Sequence, residues 1–260
     1  MPQLSRVSTI NNDLRIKKVS SAVINISPAV TGSNIVDLQT LGGILSISGN
    51  GAYNLTPNTT FAANVMVWGA GGGFSTGNGG AGGFSSGSFV FYANVSYNVV
   101  VGRAGSSGTG GGGSGIEYLA NANVIIVAGG GGGGGSAQGG AGGGAIAQNG
   151  AGGGGGSAYS ATSPGSFKVG GPAASVFGFG FGGSGTGAGG GGLYGGGAAA
   201  AGGGGGGGYL EFNILSFANT QTGSNATPPQ STYSSRSTGG NGGVAPATPA
   251  GDGLIVITVL

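Results

Sequence analysis

The sequence offers two matches to the G-x-S-x-G pattern of a serine nucleophile elbow, Gly73-Phe74-Ser75-Thr76-Gly77 and Gly83-Phe84-Ser85-Ser86-Gly87. An elbow needs a histidine base and a helix after the serine. The chain contains no histidine, so neither serine has a base to take its proton. General acid–base or glycosidic chemistry needs two carboxylates held together, and a hard metal needs several oxygen ligands. The acids are Asp13, Asp37, Glu117, Glu211 and Asp252, and no two are close in sequence. Cysteine is absent, which removes disulfides and thiolate metal sites. These residues point to a protein that is not an enzyme and that takes no cofactor and no metal.

Charge is equally sparse. Seven basic and five acidic residues give a net charge of +2. Nucleic-acid binding draws on several cations that neutralise phosphates, and only Arg6, Arg15, Lys17 and Lys18 cluster, with Asp13 among them. No nucleic-acid partner is expected. No apolar run approaches the roughly 20 residues that span a bilayer, so no membrane insertion is expected. The polar stretch from Met1 to Val19 does not read as a secretory signal. Asn-x-Ser/Thr triplets at Asn54, Asn58 and Asn94 read as turn and strand polar residues rather than glycan sites.

What remains is glycine, 71 of 260 residues. Collagen would place it at every third position with abundant proline. Here there are 9 prolines, and the glycines form blocks such as Gly129–Gly135 and Gly202–Gly208. Between the blocks stand short apolar runs with β character: Ala22–Ile26, Ile44–Ile47, Asn64–Trp68, Ser88–Phe91, Tyr97–Val101, Val124–Val127, Tyr209–Phe217 and Leu254–Leu260. Residues 218–250, rich in Thr, Ser, Asn, Gln and Pro, read as a long loop. Helix signals are nearly absent, since glycine costs about 1 kcal/mol at each helical position.

Ordered glycine blocks lose much backbone entropy on folding and need many hydrogen bonds in return. Extended left-handed threefold helices of polyproline II geometry, rising about 3.1 Å per residue, point their N–H and C=O groups outward. Without side chains, neighbouring helices come close enough to bond one another, and a bundle satisfies all of them. The predicted fold is therefore all-β, a β-sandwich-like frame with an inserted glycine-rich polyglycine II helix bundle. Residues 1–40 are compositionally ordinary and form one segment. Residues 41–260 form the glycine-rich β/polyglycine domain.

In such a bundle the block ends become tip loops, which carry the side chains available for recognition. Tyr159, Phe167, Lys168, Tyr194, Tyr233 and Arg236 stand near block ends. In Phe177-Gly178-Phe179-Gly180-Phe181 the three rings share one face of an extended strand. That face either packs on the frame or presents an aromatic patch to a protein or a sugar.

Four runs carry a family resemblance. Val65-Met66-Val67-Trp68-Gly69-Ala70-Gly71-Gly72-Gly73 resembles the opening of the glycine-rich domains of bacteriophage tail-fibre and receptor-recognising proteins. Tyr97–Gly105, Val124–Gly135 and Gly251–Val259 resemble that family's later strands, in the same order, over residues 65–260. The resemblance implies a virion protein at the particle surface, a tail-fibre or spike component binding a host surface protein or glycan. Residues 1–40 would then attach it to other virion proteins. A capsid or tail decoration protein without a receptor role and a self-assembling extracellular filament protein are the alternatives. A symmetric homo-oligomer is a general expectation for such a protein.

Overall fold

The structure, a computed structural model, describes residues 23–26, 35–36, 44–57, 59–144, 146–152 and 186–260. Among the described residues the chain forms twelve strands and no α-helix. In chain order they are β1 (Val23–Ile26), β2 (Ile35–Val36), β3 (Ile44–Ile47), β4 (Gly51–Leu55), β5 (Phe61–Trp68), β6 (Phe84–Phe91), β7 (Tyr97–Val101), β8 (Ser114–Tyr118), β9 (Val124–Ala128), β10 (Tyr209–Leu210), β11 (Ser216–Gln221) and β12 (Leu254–Val259). The all-β class expected from the sequence is what forms.

Two six-stranded sheets result, ordered β1-β3-β12-β5-β6-β11 and β10-β9-β8-β7-β4-β2. Pairing is antiparallel except where β1 joins β3 and β2 joins β4. Strands from the first forty residues thus pair into both sheets. Alternation explains the packing: on β5, Phe61, Ala63, Val65 and Val67 are buried while Ala62 and Asn64 are exposed. The inward rows of both sheets join in one core that includes Leu45, Ile47, Val65, Val67, Ile255 and Ile257 from the first sheet. Leu55, Val99, Val101, Ile116 and Ile126 come from the second.

The filling between the sheets changes along the strands. At one end Phe61, Phe89, Phe91, Tyr97 and Tyr118 form an aromatic cluster, with Phe91 and Tyr97 edge-to-face at 5.0 Å. Each fully buried ring contributes about 2–3 kcal/mol. At the other end stand Ser85, Ser114 and Ala128, all buried. There the Ser85 hydroxyl reaches from the first sheet to the Val127 carbonyl of the second at 2.7 Å. Two residues further the backbones bond directly, Gly83 N–H to Gly129 O at 2.8 Å, and at the same end Gly253 N–H donates to Gly102 O at 2.8 Å.

From this narrow end the strands run on into glycine arms. β5 continues into 69–73 and returns through 79–83 to β6. β7 and β8 are joined likewise by 102–105 and 109–113, and β9 continues into 129–135 and back through 139–143. The arms belong to neither helix nor sheet ladder, yet their backbones bond from arm to arm. In the arm 129–135 the donors turn to a new neighbour with each residue and repeat after three. Gly129 and Gly132 donate to Gly143 and Gly140, Gly130 and Gly133 to Gly191 and Ala188, Gly131 and Gly134 to Ala70 and Gly73. Its carbonyls accept from Gly77, Gly80 and Gly83, from Gly203 and Gly206, and from Gly111.

Only glycine permits this approach. A Cβ at Gly132 would overlap the Gly203 carbonyl, and one at Gly129 the Gly206 carbonyl. The buried alanines mark places with room for a methyl group. Ala81 and Ala141 bring theirs to the same spot beside Gly223.

Three differences from the sequence reading have physical causes. β4, which begins at Gly51, lies outside the apolar runs read as strands, because glycine, alanine and asparagine make up three of its five residues. β8 begins Ser114-Gly115, where a Cβ on Gly115 would strike the Ile126 carbonyl, so glycine here lies inside a strand. The single run expected over 209–217 divides: β10 ends at Leu210, Leu215 is buried, and β11 extends into the polar segment expected as loop. Of the remainder, the part around Pro229 and Tyr233 covers Trp68 on the first sheet, and Gly240, Gly243 and Gly251 bond to the arms. Tyr233 packs against Trp68 with its ring tilted, Trp68 also meets Phe84, and the Trp68 indole donates to the Pro229 carbonyl at 2.9 Å.

Candidate functional site

The arms turn at the end far from the sheets, and these turns gather into one tip. The turn over 106–109 is closed by Thr109 N–H to Ser106 O at 2.9 Å and by Ser106 N–H to the Thr109 hydroxyl at 2.8 Å. Its middle residues, Ser107 and Gly108, have φ of 47° and 80°, the left-handed geometry of a tight reversal. The turn over 74–78 is tied to its neighbour by Thr76, whose hydroxyl donates to Gly135 O at 2.8 Å. The turn over 136–138 is bonded to the Ala200 and Ala201 carbonyls through Ser136 and Ala137. Gly187 N–H donates to Gly108 O and Ala199 N–H to Gly187 O, bringing the last turn into the same cluster.

The described tip exposes Thr76, Ser106, Ser107, Ser136, Thr186 and Ala200. These are small, uncharged groups, hydroxyls and methyls on a hydrogen-bonded base. The described carboxylates lie elsewhere. Asp252 accepts from Ala104 N–H at 2.7 Å and from the Asn50 side chain at 3.0 Å, at the junction of sandwich and arms. Glu117 accepts from the Asn98 amide at 2.9 Å on the second sheet. Glu211 accepts from the Tyr209 hydroxyl at 2.7 Å and from Asn213, and the Tyr209 bond chiefly holds its carboxyl below the ordinary range. The surface at the tip is suited to hydrogen bonding with a neutral polar ligand and holds no acid–base pair among the described residues.

Six of the nine residues singled out in the sequence, Tyr159, Phe167, Lys168, Phe177, Phe179 and Phe181, lie outside the described residues. The ends of their segment are described. Gly152 lies against the Ala199 methyl, where an added Cβ would stand 3.0 Å away, and Ala151 N–H donates to Gln138 O. On the returning side Thr186 lies beside Gly108 and Gly187 is bonded to it. The chain therefore leaves and re-enters at the tip.

The other three stand at the sandwich. Tyr194 packs beside Leu193 on Val127, at the sheet side of the arms. Tyr233 is half-buried on Trp68. Arg236 is 7% exposed, donating to the Gly239 and Ser231 carbonyls and to Asn241 Oδ1 at 2.7 Å. Burial lowers its pKa from the ordinary guanidinium value. The structure does not bring these three together with the tip, because every glycine block has two ends and theirs face the sheets.

Sequence reasoning missed the tip hydroxyls. Their signal was the short interruptions of glycine by Phe-Ser-Thr, Ser-Ser and Ser-Ala-Gln, each halfway along a block and so at a reversal. No protein-family model matches the chain, and the search of curated proteins finds no relative of it.

Proposed function

We propose that the glycine arms are a bundle of polyglycine II helices and that the protein is a non-enzymatic component of a bacteriophage tail fibre or spike. The three-residue repeat of donors along 129–135, with neighbours on all sides, is what threefold helices packed in parallel rows produce. The exclusion of Cβ atoms along the arms supports the same reading. In such a bundle the backbone supplies the rigidity that side chains supply elsewhere, so a stalk can be built almost without side-chain diversity.

The observation that carries the functional reading is the departure and return of the chain at the tip, at Gly152 and Thr186. Residues 153–185 hold most of the aromatic candidates, and we assign Tyr159, Phe167, Lys168, Phe177, Phe179 and Phe181 to contact with a host surface protein or glycan. The molecule's polarity agrees. β1 runs parallel to β3, whose first residue pairs with Thr258 near the aromatic end, so the chain enters β1 at the end opposite the tip. That suits attachment of the N-terminal segment to other virion proteins.

Two experiments test the proposal. Gold-labelled antibody against residues 218–250 is expected at the distal ends of fibres on native particles. Label over the shell would make the protein a decoration protein, and polymerisation of the purified chain would favour a filament. Exchange of residues 157–182 is expected to abolish adsorption to cells, and unchanged adsorption would remove the receptor role.

A further inference from the structure

The chain carries four Asn-Gly steps, at Asn50, Asn78, Asn149 and Asn241. At this step an asparagine side chain cyclises most readily on its own main chain, because the following glycine has no Cβ to hinder its nitrogen. Cyclisation also requires the peptide between the two residues to turn freely. At three of the four steps the arms prevent that. A Cβ at Gly79 would overlap the Gly72 carbonyl, one at Gly150 the Gly203 carbonyl, and one at Gly242 the Gly79 carbonyl. Side chains are held as well. Asn78 Oδ1 accepts from Ala245 N–H at 2.9 Å, and Asn241 Oδ1 accepts from Arg236 at 2.7 Å.

Asn50 differs in its exposure and in the open space around its glycine, which sits at the first rung of β4 opposite Val101. It is exposed, in the bend between β3 and β4, and a Cβ on Gly51 would meet nothing nearer than the Tyr53 ring at 3.9 Å. Gly51 has φ of +144°, a conformation that side chains disfavour, so the fold itself keeps glycine at this position. The Asn50 amide makes one bond, from Nδ2 to Asp252 Oδ2 at 3.0 Å.

We propose that Asn50 is the site of spontaneous deamidation in this protein. The Gly51 nitrogen gives its proton to solvent and attacks Asn50 Cγ. The bond from Cγ to Nδ2 breaks, ammonia leaves with a solvent proton, and a cyclic imide remains. Water opens the imide at either carbonyl to give aspartate or isoaspartate, so one water enters for each ammonia lost. The product replaces the donor facing Asp252 with a carboxylate. Asp252 holds Ala104 N–H at the same junction, and two like charges there oppose each other. Conversion therefore loosens the joint between the sandwich and the arm that leaves β7.

The test is peptide mapping by mass spectrometry on the full chain, aged in mildly alkaline buffer at body temperature. The amide-to-acid mass gain is expected at Asn50 at least severalfold faster than at Asn78, Asn149 or Asn241. No gain at Asn50, or an equal rate at another step, overturns the proposal. The variant N50D is expected to melt below the unaltered chain at neutral pH and to regain part of the difference when acid neutralises the pair. Equal melting at both pH values would overturn the claim that the product loosens the junction.

Discussion

The Ser85 hydroxyl donates to the Val127 carbonyl across the two sheets, at 2.7 Å. It marks the level at which side-chain packing hands over to main-chain bonding. On one side of it aromatic rings hold the sheets together, and on the other Gly83 and Gly129 bond directly. Ser85→Ala removes the bond while keeping the volume nearly unchanged, and is expected to cost about 1 kcal/mol. Ser85→Val also inserts bulk where the backbones converge and is expected to cost more. Urea denaturation of both variants measures the difference.

Within the arms a methyl group has nowhere to go. Gly132→Ala directs it into the Gly203 carbonyl, and a cost of about 3 kcal/mol is expected from overpacking. Ala200→Gly, at the exposed tip, is expected to cost under about 1 kcal/mol. Comparable melting temperatures for the two variants would contradict the packing described for the arms.

Much of this was legible in the sequence, and the reason lies in particular residues. Val65–Trp68, Tyr97–Val101 and Val124–Val127 show β patterning, and glycine follows the first two at once and the third after Ala128, which gives both the strands and the points where arms begin. The pairing partners were not legible. Nothing local distinguishes Gly115, which lies inside a strand because Ile126 O approaches it, from Gly113 in an arm. The tip was half legible. Glycine-block ends were seen to carry the informative side chains, but whether an end faces the sheets, as at Tyr194, or the tip, as at Gly152, depends on how many times the chain reverses.

Trp68 is the chain's single tryptophan and is fully buried beneath the long C-terminal loop. Trp68→Phe removes the donor to Pro229 and is expected to cost about 1–2 kcal/mol, while Trp68→Ala is expected to cost about 4 kcal/mol. The alanine variant should also expose residues 222–253 to proteolysis before the sandwich unfolds. In the unaltered chain the indole emission reports that loop's release directly.

Glu211 sets an acid limit. Its carboxyl is held below the ordinary range, first by the Tyr209 hydroxyl and then by Asn213 N–H. A depressed folded-state value gives stability that is present above the unfolded carboxylate range and lost as pH falls through the folded one. The melting temperature is expected to fall on acidification, and Glu211→Gln should reduce that fall while lowering stability at neutral pH. An identical pH profile in the variant would contradict the role of these bonds.

The central claim is that glycine blocks nearly devoid of side chains form an ordered, internally bonded stalk. Native-state hydrogen exchange at the amides of Gly129–Gly135 tests it most directly, because every donor from Gly129 to Gly134 is assigned to a named carbonyl of another arm. These amides are expected to exchange as slowly as those of β5 and β9. Exchange at the rate of an unfolded chain, with β5 and β9 still protected, would contradict the account.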